Sequence, residues 1–247
     1  MTYPDGAVHI GEFANDLENG LGELRSADGS RLEGPFKDGD YVGVGTIEYP
    51  DGRVYVGLLR KMKAHGEGTM TWPDGKEYKG DFVSNKRDGQ GLMKFTDGTT
   101  FEGTYKEDKI NGQGTKKLTD GTKVTGKFEG DLLKVGKKIY LDDREYTGDL
   151  KDYKANGKGE MTWPDKRTYK GDFKDDLLDG EGEQTWPDGR NYEGSFRNNM
   201  PNGQGKSKLA DGSLYVGEFK DNEKHGEGVY TSKTDGSIYT GPFVDDK

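Results

Sequence analysis

One glycine returns at a fixed interval along this chain: Gly11, Gly34, Gly57, Gly80, Gly103, Gly126, Gly148, Gly171, Gly194, Gly217 and Gly241. The step is 23 residues, with one of 22 before Gly148 and one of 24 before Gly241. A constant period of this length marks a repeat array, in which each unit is one supersecondary element that contacts its neighbours. A second glycine follows nine residues on and a third two residues later, as in Gly80, Gly89 and Gly91. This density argues against helices, because each glycine in a helix interior costs about 1 kcal/mol relative to alanine.

The unit reads as a hairpin. Strand residues alternate between faces, so Tyr78, Gly80 and Phe82 share one side. Gly89, Gly91, Met93 and Phe95 share a side on the next segment, while Lys79, Asp81, Gln90 and Lys94 point the other way. Between units stand Tyr49-Pro50-Asp51-Gly52, Trp72-Pro73-Asp74-Gly75 and Trp186-Pro187-Asp188-Gly189. Proline and Asp suit the two central positions of a type I turn, and glycine the left-handed residue after it. A six-residue polar loop, such as residues 174–179, is expected inside each unit. The predicted fold is all-β: an elongated, single-layer antiparallel meander of tandem hairpin repeats about 23 residues long, spanning on the order of 95 Å.

Composition supports order without a large core. Apolar residues make up 29% of the chain and glycine 41 of 247 residues, against about 45–50% apolar, counting Gly, in an ordinary domain. Aromatics at 11% speak against disorder. Glycine lets large rings lie over bare backbone, and that stacking replaces a core. The net charge of -9 leaves no basic stripe for nucleic acid. No apolar run approaches the length of a membrane span, no signal peptide is visible, and cysteine is absent. A cytoplasmic setting is expected.

A Tyr-Gly-aromatic strand, a Gly-x-Gly pair and a closing Asp-Gly, repeated in register about ten times over residues 3–243, resemble the MORN (membrane occupation and recognition nexus) repeat family. The resemblance implies a β scaffold that binds other proteins in cytoskeletal, ciliary or membrane-associated assemblies. It also raises phospholipid binding, which the net charge disfavours. The repeat is found attached to catalytic domains, but no sequence remains here to hold one.

Residues 1–247 read as one continuous array of about ten repeats and a partial one. The array departs from its pattern at His9, Leu32 and Val124, which replace the first aromatic, and most of all at residues 126–148. That unit has a lone Gly136, carries Asp142-Asp143 in place of Asp-Gly, and has Leu132 and Leu133 in its loop. It is a candidate divider between sub-arrays 1–125 and 149–247. Tolerated drift is the favoured reading there, with a kink, a change of twist or a docking spot as the others. The sequence leaves open whether the array is whole or excised from a larger protein.

No chemistry is expected. The Gly-x-Gly pairs lack the following helix that a phosphate loop requires. His9, His65 and His225 are far apart, so no metal site is expected, nor any cofactor, and no catalytic residue is assigned. The aromatic face is the candidate site. It comprises Tyr49, Tyr55, Trp72, Tyr78, Phe82, Phe95 and Phe101 in one stretch, and Trp163, Tyr169, Phe173, Trp186, Tyr192 and Phe196 in another. A single layer would leave this face uncovered, an apolar stripe for a helical or extended segment of a partner protein. Two other readings stand beside this non-enzymatic scaffold. One is a peripheral phospholipid binder using Lys61, Lys63, Lys86 and Arg87. The other is a self-assembling element or homodimer that pairs through open strand edges.

Overall fold

A computed structural model describes the whole chain, Met1–Lys247. It contains 22 strands and no helix. Two compact units are present. The first comprises Met1–Thr119 with Lys127–Leu132, and the second Asp120–Gly126 with Leu133–Lys247. The irregular repeat is shared between them: residues 127–132 belong to the first, and Gly126 with residues 133–148 to the second.

Within each unit successive strands pair antiparallel. The turns between repeats follow the sequence. Gly189 N–H donates to the Trp186 carbonyl at 3.0 Å, and Trp186 N–H to the Arg190 carbonyl at 3.0 Å. Gly189 takes φ +87°, and the Asp188 carboxylate accepts the Arg190 N–H at 3.1 Å.

The turn inside each repeat differs from expectation. Residues 174–179 are not a six-residue loop. Strand Thr168–Lys174 runs to a two-residue turn at Asp175 and Asp176, and strand Leu177–Thr185 begins at once. Both turn residues have positive φ, 50° and 70°, as a type I′ hairpin requires. The missing length is absorbed by a bulge. Gly171 pairs with Gly182, but Phe173 pairs with Leu178, so two extra residues lie on the second strand. Gly180 sits there at φ +117°. Asp172 stabilises the bulge by accepting the unpaired Glu181 N–H at 3.1 Å. Asp81 and Asp149 do the same for Gln90 and Lys158.

Most hairpin tips lock onto the preceding repeat. Asp176 N–H donates to the Ala155 carbonyl at 3.0 Å, and Ala155 N–H donates back to the Asp176 carboxylate at 2.8 Å. In the first unit Asn85 and Ala64 form the same reciprocal pair. The tip thereby crosses the ring face as far as the turn at the other end of the preceding repeats: Tyr49 Oη donates to Asn85, and Tyr140 Oη to Asp176 at 2.7 Å.

The core is the ring layer beneath these tips. In the second unit Tyr146, Phe173, Tyr169, Phe196, Tyr192, Phe219, Tyr215 and Phe243 form an unbroken edge-to-face chain, with centroids 4.8–5.1 Å apart. In the first, Tyr55, Phe82, Tyr78, Tyr105, Phe101 and Phe128 do the same. Such pairs contribute about 0.5–1.5 kcal/mol each beyond their buried area. The glycines make room: a Cβ on Gly182 would lie 2.3 Å from the Tyr169 hydroxyl.

Candidate functional site

The aromatic residues expected to form an open stripe fall into two sets. Tyr55, Tyr78, Phe82, Phe101, Tyr169, Phe173, Tyr192 and Phe196 are buried, all at 4% exposure or less. They are brought together, but as the core, because the hairpin tips cover the face that a flat layer would have left bare. Burial also pushes the tyrosine hydroxyls up, Tyr55 to about 12, and each hydroxyl is spent within its own repeat. Tyr169 Oη, for example, donates to the Asp172 carbonyl at 3.0 Å.

Tyr49, Trp72, Phe95, Trp163 and Trp186 are half-buried at the turns between repeats. A cation from the same turn covers one face of four of them: Arg53 on Tyr49, Lys76 on Trp72, Arg167 on Trp163 and Arg190 on Trp186, at 4.8–6.0 Å from the ring centroid. Lys116 covers Phe95. Each turn cation is held by the turn aspartate, as Arg167 is by Asp165 at 2.7 Å. The aromatic-Pro-Asp-x-cation box therefore clamps its turn, at about 0.5–1 kcal/mol per cation–π contact at exposed sites.

The irregular repeat is filled by other means. Val124 is fully buried in the aromatic slot. Leu133 lies over Gly126 and Gly136, 2.7 and 3.2 Å from where their Cβ atoms would be, whereas Leu132 is 65% exposed. Lys138 stands where other repeats carry Met70, Met93 or Met161. It is buried and paired with both Asp176 carboxylate oxygens at 2.8 Å. Burial opposes ionisation of Asp176, but Lys138, the Ala155 N–H and the Tyr140 hydroxyl outweigh it and hold the carboxyl below its usual range. Sequence reasoning missed this network. Its one signal was a lysine in a methionine slot.

His9 is buried between Phe13 and Phe36, edge-on to both. No helix is long and apolar enough to cross a membrane.

The accessible surface is the face opposite the rings. There the paired glycines expose bare backbone as the floor of a groove. In the second unit this groove measures about 870 Å³, floored by Gly159, Gly171, Gly182, Gly194 and Gly205. Lys158, Lys170 and Lys206 share its walls with Glu160, Glu181, Glu183 and Glu193, and Glu183 stands directly opposite Glu193. In the first unit a groove of about 550 Å³ is lined by Val56, Glu67, Lys79, Asp81 and Glu102 around Gly57, Gly68, Gly80 and Gly91. Exposed apolar side chains, Ile10, Leu21 and Val44, mark its N-terminal neighbour. Glu23 beside them is held down to about 2 by Arg31 and Arg25.

The MORN repeat profile matches residues 9–31, 33–52, 55–77, 78–100, 101–123, 146–166, 169–189, 192–214 and 215–237. No curated protein matches the chain. Among solved structures, the wild-type TCP10 domain of Danio rerio CPAP in complex with a peptide of Danio rerio STIL is similar at 12% identity and a TM-score of 0.51. That match covers 97% of this chain and 100% of that one. The SAS-4 TCP domain of Drosophila melanogaster, solved with a proline-rich motif of Ana2, matches at 12% identity and a TM-score of 0.40, over 74% of this chain and 96% of that one.

Proposed function

The chain belongs to the MORN repeat family, and on that premise we propose that it is a non-catalytic scaffold that holds a segment of a partner protein in the glycine-floored groove of its second unit. One observation carries the reading. The rings are consumed by the fold, while the opposite face presents a wide trough whose walls are exposed charged side chains and whose floor is bare backbone. Lys158, Lys170 and Lys206 set among Glu181, Glu183 and Glu193 suit a segment of mixed charge, and such complementarity fixes register and partner choice. A solved domain of similar fold holds a peptide, which supports a protein ligand. The resemblance to the family favours a cytoskeletal, ciliary or membrane-associated assembly as the setting.

The test is charge reversal. The chain should retain a partner from an extract of its native source, identified by mass spectrometry. The double variant Lys170→Glu, Lys206→Glu should lose that partner with its β circular dichroism unchanged. Undiminished retention would overturn the groove.

A further inference from the structure

The first repeat departs from the others at one position that nothing above accounts for. The second residue of each second strand lies over the ring layer. It is Ala64, Ala155, Leu178 or Pro201 in four repeats, all buried. In two others it is a cation, Arg87 or Lys224, 5.7 and 5.9 Å from the Tyr78 and Tyr215 centroids. In the first repeat it is Glu18, a carboxylate where every other choice is apolar or basic.

Glu18 is 9% exposed, and its carboxylate takes part in no hydrogen bond or ion pair. The stem of Glu18 is buried while its carboxylate oxygens, absent from the fully buried unpartnered atoms, open to solvent without a protein partner. Glu18 lines a cavity of about 660 Å³ in the first unit, together with Asp5, Asp38 and Asp40. None of these four acids is in an ion pair, and no lysine or arginine lines the cavity. The Tyr3 hydroxyl, also on the wall, is buried without a hydrogen-bond partner. The remaining wall is apolar, with Leu17, Leu24 and Met62. Two unpartnered polar groups, a ring of negative charge and an apolar flank are together the complement of an organic cation on a hydrocarbon stem.

We propose that this cavity binds an arginine side chain presented by a partner protein. Its guanidinium donates to the Glu18 carboxylate, and its methylenes lie along Leu24 and Met62. Arginine suits the cavity better than lysine. The acids come from three separate segments, and the planar guanidinium carries five donors spread over several directions, whereas an ammonium acts as a point charge. The volume is within the range of sites that enclose small ligands. The source of the arginine rests on the protein-binding reading above. The pocket chemistry does not, because a free arginine derivative probes it directly.

The experiment is an NMR titration of the isotope-labelled chain with N-acetyl-arginine amide, and with N-acetyl-citrulline amide as the uncharged analogue of the same shape. Saturable shifts should appear at the amides of residues 17–24 and 38–40, and citrulline should produce none. Glu18→Gln should weaken binding about tenfold or more, while Glu223→Gln, at an exposed position of the second unit outside either site, should leave it unchanged. Asp40→Asn, at an exposed tip, serves as a second variant should Glu18→Gln perturb the fold, and is expected to weaken binding in the same direction. Equal shifts with citrulline, or full affinity in the Glu18→Gln chain, would overturn the proposal. The probe does not involve Lys170 or Lys206, so failure here and failure of the groove are read separately.

Discussion

Phe173 stands edge-on to Tyr146, ring centroids 4.8 Å apart at 75°, although 27 residues separate them. It also meets Tyr169 of its own repeat at 5.1 Å. One phenylalanine thus joins two repeats, and the pattern recurs at Phe196 and Phe219. The cohesion of each unit lies in this alternation. Phe173→Ala is therefore expected to cost about 3–5 kcal/mol and to expose both flanking tyrosines. Chemical denaturation, with hydrogen exchange across residues 145–185, checks this. A loss under about 1 kcal/mol would mean that the rings are not the core.

The glycines divide into two kinds, and alanine should tell them apart. A Cβ on Gly182 meets Tyr169 at 2.3 Å, and Tyr169 has no room to retreat. Gly182→Ala should cost about 2–3 kcal/mol through overpacking. Gly189 has open space around it and only a positive φ of 87°, so Gly189→Ala should cost about 1 kcal/mol. Thermal melts of the two variants should rank in that order.

Lys138 and Asp176 form the one buried ion pair in the second unit's ring layer. Lys138→Met alone strands the carboxylate and should cost about 2 kcal/mol, below the full price of a dry pair because Asp176 is 27% exposed. Adding Asp176→Asn reproduces the neutral arrangement that Leu178 and Asn199 already show. The double variant should recover most of the loss. A double variant as unstable as the single one would show that the ion pair itself, rather than its uncompensated half, matters.

Alkali should unfold the chain steeply. Burial raises Tyr55 from 10 to about 12, and Tyr78, Tyr146 and Tyr169 are raised as well. These hydroxyls hold their protons more tightly folded than unfolded, so their contribution is complete below pH 10 and declines as pH climbs through 12. Tyrosinate absorbance and β circular dichroism should therefore change together. Tyrosinate appearing near pH 10 with the β signal intact would contradict the buried ring layer.

Much of the fold is written in the sequence, and the reason is local. Trp186-Pro187-Asp188-Gly189 fixes a turn by backbone geometry alone, and the 23-residue glycine step fixes the repeat. The two-residue turn at Asp175 and Asp176 was not legible. Its polar residues look like a loop, yet Asp176 is polar because it must accept the Ala155 N–H of the preceding repeat. The accessibility of the rings depended on that same feature. Tyr55, Tyr78, Phe82, Phe101, Tyr169, Phe173, Tyr192 and Phe196, expected along an open stripe, are for that reason the core. Glu18 and Lys138 were passed over because a single charged residue in a repeat array reads as drift until its burial is known.

In the proposed scaffold, partners meet the face opposite the rings. Lysine-reactivity footprinting of the chain, alone and bound to its retained partner, tests this most directly. Lys158, Lys170 and Lys206 line the groove, while Lys154 and Lys174 flank the hairpin tips; all five are exposed. Binding should protect the three groove lysines and leave Lys154 and Lys174 reactive. Protection of Lys154 and Lys174, with the groove lysines still labelled, would contradict it.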